Sequence, residues 1–274
     1  MGASLRTKLF ILRTSLAERL AYRADFAFAT LVRFLPIVTQ IFLWGAIYHS
    51  TPGSPGRVLN GYSYGDMVSY YLLVMLGRAF SSMPGLSSGI ARDIRDGTLK
   101  KFLIQPIDLL DYLFWHRIAH KLVYYAVAAG PFALVFWVCR SYFPAWPTPE
   151  VFLAGTAALL MSFLVGFLIE SLLGLAGFWF LEVSSLVFVY MLLSYFLSGH
   201  MLPLDWLPPQ VSQVILWLPF KYLAFFPAAV FLGRFNSSEL VWELFVEVLW
   251  IFALLGLNRW MLSRGLRRYS AFGG

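Results

Sequence analysis

A chain of 274 residues with 59% hydrophobic, 18% aromatic and only 13% charged side chains lacks the polar surface that a water-soluble globule requires, so its composition points to an integral membrane protein. The formal net charge of +7 does not indicate nucleic acid, because a phosphate-tracking surface needs basic residues interleaved with exposed aromatics on a soluble domain, and no such domain is evident. Cys139 is the single cysteine, which excludes an intramolecular disulfide.

In chain order, residues 1–23 come first. Leu5, Leu9, Leu12, Leu16 and Leu20 recur at steps of three and four, while Arg6, Lys8, Arg13, Glu18 and Arg19 fall mostly on other faces. This predicts an amphipathic helix in the membrane interface, its basic face against lipid headgroups; packing against neighbouring spans is a compatible alternative. No compact apolar core with a small-residue cleavage site precedes the first long span, which is expected to serve as its own anchor.

Six stretches, 24–48, 64–89, 110–138, 151–172, 176–198 and 239–260, are each long enough to cross about 30 Å of hydrocarbon as a helix, and too long for barrel strands. The predicted fold class is therefore an all-α membrane protein with six transmembrane helices in a single domain. Basic residues fall before the first span (Arg6, Lys8, Arg13, Arg19, Arg23), around the second-to-third connection (Arg92, Arg95, Lys100, Lys101, Arg117, Lys121) and in the tail 261–274 (Arg264, Arg267, Arg268), with Arg259 at the last span's end. The opposite connections keep Arg57, Arg140, Lys221 and Arg234. The positive-inside rule then places both termini in the cytoplasm of a cell with this protein in its inner membrane.

Within the spans, ionisable groups are costly. Arg33 in the first span is expected to snorkel or to pair with Glu182 or Glu170. Arg78 lies nearer the middle of the second span, beyond easy snorkelling reach, and an ion pair with Glu170 or Glu182 is one reading of it. Residues 90–109 follow, containing RDIRDGTLKKFLIQPID: Ile94, Leu99 and Phe102 alternate with charge, Gly97 interrupts the run and Pro106 ends it. A short helix of about 91–104 with a hydrophobic edge is expected, either a docking site or a solvated loop. Asp108 and Asp111 resemble a capping pair opening the third span. His116 and His120, one turn apart, have metal-ligand spacing but no third ligand, so interfacial packing is favoured over a metal site.

Residues 199–238 are too apolar for an aqueous loop yet are broken by Pro203, Pro208, Pro209, Pro219 and Pro227. A seventh span there would export the basic tail, so two re-entrant half-helices at the outer face are predicted. Glu239, Glu243 and Glu247 then recur every four residues at the outer end of the sixth span, where pairing with Lys221 and Arg234 is expected.

The punctuation of this chain resembles that of the permease subunits of type-2 ATP-binding-cassette exporters, in their compact six-span branch. The resemblance runs from end to end. It rests on Gly97, Thr98, Leu99, Leu103, Pro106 and Ile107 between spans two and three, on Ser198, Gly199, Pro203 and Pro208 after span five, and on Leu218-Pro219-Phe220. The glutamate often found just before the first motif is replaced by the neighbourhood of Asp93, Arg95 and Asp96. The resemblance implies a coupling helix that docks a separate ATPase through Arg92, Asp93, Ile94, Arg95, Asp96, Gly97, Thr98, Leu99, Lys100 and Phe102, the apolar members filling a groove and the charges, with Lys101, setting register. It also implies a pathway along spans two and five, making Arg78 and Glu182 candidate pathway or intramembrane charges, and a second permease subunit, a different one in preference to a second copy.

No Walker A sequence, G-x-x-x-x-G-K-[ST], occurs, so no cofactor is expected on this chain and ATP belongs to the partner. Two other classes compete. An intramembrane, lipid-modifying enzyme would use Glu170, Glu182, His116 or His120, but no nucleophile and base are paired at one depth. An ion-coupled secondary transporter would show inverted repeats and helices broken near the midplane, and neither is found.

Overall fold

The computed structural model describes residues 5–20, 32, 34–49, 58–104, 107–143, 145–180 and 182–269, without the side chains of 5, 8, 17–20 and 103. Among them regular structure is helical, apart from an isolated bridge between Leu59 and Tyr62. The helices are α1 (Leu5–Leu20), α2 (Leu35–His49), α3 (Tyr64–Ser81), α4 (Leu86–Arg95), α5 (Lys100–Leu103), α6 (Leu109–Val138), α7 (Pro149–Leu175), α8 (Ser184–Leu197), α9 (Pro209–Trp217), α10 (Phe225–Phe231) and α11 (Ser237–Tyr269). Two compact units can be distinguished: Met1–Ser69 with Leu99–Pro144, and Tyr70–Thr98 with Ala145–Gly274.

Among the described residues three helices are long and apolar enough to cross a bilayer: α6, α7 continued by a 3₁₀ turn to Phe178, and α11. Their starts follow from local chemistry. The Asp108 carboxylate accepts the Asp111 N–H at 3.0 Å, capping α6 as the sequence suggests. Thr148 accepts from the Val151 N–H, and Pro149 occupies the first turn of α7, where its missing N–H costs nothing. Asn236 caps α11 through the Glu239 N–H, while the Glu239 carboxylate accepts the Asn236 N–H in return, a reciprocal capping box.

Two of the other expected spans depart from their expected bounds. Of the first, 24–48, residues 32 and 34–48 are described, most of them in α2, an apolar helix; the Arg33 expectation lies outside the described residues. The second, expected to run to residue 89, stops as α3 at Ser81. Gly85, at φ 75°, then turns the chain into α4. The sequence across this break, SSMPGLSSGIA, is apolar enough to hide it. The fifth begins late: residues 176–178 form a 3₁₀ turn, and α8 starts at Ser184 with 14 residues.

In the first unit α1 packs on α6, with the Ser15 hydroxyl 2.9 Å from His116 Nδ1. Ile11 and Ser15 form its buried side, whereas Leu9 and Phe10 are exposed. Of the predicted leucine stripe, Leu12 and Leu16 are half-buried and Leu9 is exposed. Tyr48 donates to the Tyr62 carbonyl at 2.7 Å and Tyr64 to the Ile41 carbonyl at 3.1 Å, tying α2 to the start of α3.

In the second unit α7 is the hub. It carries α11, α4, α10 and the 219–223 turn, and it receives them on small side chains, as close packing of helices in lipid requires. Gly166 is the tightest such point: a Cβ built there would lie 2.0 Å from the Ser81 carbonyl oxygen at the end of α3. Gly174 admits Ile90 of α4 in the same way, at 2.7 Å. Within residues 199–238 two short helices, α9 and α10, flank the Pro219–Leu223 turn, and every residue from 221 to 230 is buried.

Candidate functional site

The expected single coupling helix of 91–104 is two helices joined by a turn. In α4 Leu86, Ile90 and Ile94 recur every four residues and are buried, giving the helix one apolar edge against α7. Arg92 and Arg95 occupy its last turn, where cations offset the partial negative charge of unsatisfied carbonyls. The helix ends because Gly97 takes φ 72°, a conformation costing a residue with a Cβ about 1–2 kcal/mol; its N–H bonds the Ile94 carbonyl at 3.3 Å. The Thr98 hydroxyl then closes the turn by donating to the Asp93 carboxylate at 2.5 Å.

Two turn residues later the chain re-enters a helix, with Leu99 buried to 1% and Phe102 to 7%. The Phe102 ring packs on Tyr112, centroids 4.8 Å apart, with Lys101 Nζ 4.9 Å above it. Ile94, Leu99 and Phe102 are thus buried within this chain rather than standing open along an apolar edge. What the turn presents outward is Arg92, Arg95, Asp96, Thr98, Lys100 and Lys101, with Asp93 and Gly97 half-buried. Arg95 and Asp96 pair at 3.2 Å in the open.

Arg78 is half-buried in α3 and donates to the Ser194 hydroxyl of α8 at 3.2 Å. Glu170 accepts the Met83 N–H at 3.2 Å, satisfying a backbone donor freed where α3 ends. Glu182 is exposed and lies ahead of α8, so it is a loop residue rather than one within a span. It accepts the Ser184 hydroxyl and, at 2.9 Å, the Ser184 N–H. These bonds, the hydroxyl's first, hold its carboxyl below the usual carboxylate range.

The acidic row on α11 divides into three roles. Glu239 belongs to the cap already described. Glu243 pairs with Lys221 at 2.6 Å, as expected, and accepts the Tyr222 hydroxyl at 2.9 Å. Glu247 is fully buried, and neither carboxylate oxygen has a hydrogen-bond partner among the described residues. His116 stacks on Tyr112 and meets Ser15, the packing role expected of it.

Sequence reasoning missed several tethers. Tyr70 donates to the Gly199 carbonyl at 2.5 Å and Tyr71 to the Met201 carbonyl at 2.6 Å, fastening α3 to the hinge after α8. Asn258, fully buried in α11, donates to the Leu168 carbonyl of α7 at 3.0 Å. A lone amide in an apolar helix was the available signal for Asn258. The tyrosines gave none beyond their composition. Finally, α4 and α8 enclose an open cavity of about 360 Å³, with Arg92 and Arg95 on one wall and Val187, Phe188 and Met191 on the other.

Long apolar helices carrying a charged turn, with polar tethers at helix ends and packing seams, define an integral membrane protein of helical-bundle type. The sequence matches the model of the ABC-2 family of transporter proteins over residues 34–273, and the chain belongs to that family. No curated protein matches it. It is accordingly a transmembrane permease of an ATP-binding-cassette transporter.

Proposed function

We propose that the chain is the permease subunit of an ATP-driven exporter, forming half of a translocation pathway and coupled through residues 92–102 to an ATPase on a separate polypeptide. The observation that carries this reading is the Gly97 turn: Ile94 is buried at the end of α4 while Arg92, Arg95, Asp96 and Thr98 face outward. A charge-studded knuckle, a turn anchored on a buried helix edge, transmits force to the bundle; a solvated loop would not. Binding and release of ATP on the partner bias the permease between two states only insofar as this knuckle is gripped differently in each.

In this reading Arg92, Asp93, Arg95, Asp96, Thr98 and Lys100 meet the ATPase, and Ile94, Gly97, Leu99 and Phe102 hold them in register. Arg78, held by Ser194, is the pathway charge, since a cation at that depth in a helix calls for a functional explanation. The knuckle and both termini lie in the cytoplasm, the protein sits in the inner membrane, α9 and α10 are the re-entrant pair at the outer face, and a second, different permease completes the pathway. Membrane lipids cover the remaining apolar faces.

The test is co-purification of the tagged chain with the products of adjacent genes, followed by cysteine cross-linking from position 100. A cross-link to a nucleotide-binding ATPase that responds to ATP supports the reading. A reporter placing Gly97 outside the cell, or transport by the isolated chain, overturns it.

A further inference from the structure

The cavity between α4 and α8 has a layout that the coupling role does not explain. Its lining divides by chemistry. Arg92 and Arg95, three residues apart on the last turn of α4, supply two guanidinium groups on one side. Glu182 and Ser184, at the start of α8, supply a carboxylate and a hydroxyl opposite. Below them on α8, Phe188 and Met191 make an apolar wall, each about 62% exposed within this chain. The wall is continuous with a helix whose outer side, Leu186, Val189, Leu192 and Phe196, is also exposed. In a bilayer such a face meets acyl chains wherever another subunit does not cover it.

We propose that this cavity is a binding site for a zwitterionic phospholipid bearing a primary amine, a phosphoethanolamine headgroup. The phosphate sits on Arg92 and Arg95, the ammonium on Glu182, and one acyl chain lies along Phe188 and Met191. Charge balance selects this headgroup. Two guanidinium groups suit a phosphate diester, which accepts two parallel N–H bonds from each. The nearby carboxylate repels a purely anionic lipid and has no use for a neutral one, whereas an ammonium a few atoms from the phosphate satisfies it. Glu182 is primed for this, since the Ser184 bonds keep it ionised. A quaternary choline presents the same charge with no N–H to donate, so it fits less well. The cavity volume of about 360 Å³ accommodates a headgroup and the first carbons of a chain, not a whole lipid. A phosphate on Arg92 and Arg95 withdraws those two guanidinium groups from the ATPase contact proposed above, so lipid occupancy and docking compete, which gives the site a means of influencing coupling; its occupancy does not depend on which membrane face it occupies.

The experiment is lipid retention by the purified full chain, measured by native mass spectrometry after equilibration in nanodiscs of equal parts phosphatidylethanolamine, phosphatidylcholine and phosphatidylglycerol. The wild type is expected to retain the ethanolamine lipid at least about threefold over either competitor. Arg92→Gln with Arg95→Gln is expected to lower that retention about tenfold, the scale of losing a bidentate charge-assisted contact. Glu182→Gln is expected to reverse the preference toward phosphatidylglycerol, an outcome that general loss of structure does not produce. All three side chains are exposed, and an unchanged melting temperature checks that the fold is intact. Equal retention of the three lipids by the wild type, or a Glu182→Gln variant with unchanged preference, overturns the proposal and leaves the ATPase reading standing.

Discussion

Gly166→Ala is the most informative perturbation of the bundle, because one methyl group meets a rigid obstacle. The added Cβ would lie 2.0 Å from the Ser81 carbonyl oxygen and 2.8 Å from its carbon, both backbone atoms that no rotamer change can move. Ordinary contact begins near 3.4 Å, so the end of α3 must withdraw from α7 by roughly 1.4 Å, in an interior that packs like an organic crystal. Overpacking of this kind costs about 1–3 kcal/mol, or roughly 2–12 °C in melting temperature for a chain of this size. Ser81 immediately precedes the turn into α4, so the displacement is handed on to the knuckle and should also reduce substrate-stimulated ATPase activity in the assembled complex. Gly130→Ala and Gly256→Ala are the controls: among the described residues, no atom outside the local helix backbone lies within 4 Å of the added methyl at either site, and alanine is favoured over glycine inside a helix by up to about 1 kcal/mol. Thermal unfolding in detergent compares the three. If Gly166→Ala melts at or above the temperature of the controls, α3 and α7 do not approach as described.

Leu99→Asp and Phe102→Asp should lower the melting temperature, since each places a charge in a buried apolar position at a cost of several kcal/mol; Lys100→Glu with Lys101→Glu should leave it unchanged and weaken ATPase association instead, by pull-down. Gly97→Val should cost about 1–2 kcal/mol through its φ of 72°, the added Cβ meeting the Tyr269 hydroxyl oxygen only at an ordinary contact distance of 3.8 Å. Lys221→Met should cost about 3–5 kcal/mol by stranding Glu243, and Lys221→Met with Glu243→Gln should recover most of that loss in the same melt.

Much of this architecture was legible in one dimension. Long apolar runs declare α6, α7 and α11, since a bilayer admits few other solutions. Asp108 marks a helix start because a cap is a contact between residues three apart in the chain. Gly97 ends α4 by its own backbone freedom, and the Lys221–Glu243 pair followed from charge placed across a short connection. The motifs at Gly97–Ile107, Ser198–Pro208 and Leu218–Phe220, by their order and spacing, carried the family resemblance.

The remainder was decided by distant residues. Whether Leu99 and Phe102 face a partner or the interior is invisible in a segment that reads as amphipathic in either case; only packing assigned them to the core. The break after Ser81 and the late start of α8 depend on backbone donors finding side-chain acceptors such as Glu170 and Glu182. The α4–α8 cavity brings together groups about 90 residues apart. Hydrophobic pattern reports how much of a helix must leave water, but it does not report which neighbour will cover each face, and that choice is made by the shapes and polar groups of helices far along the chain.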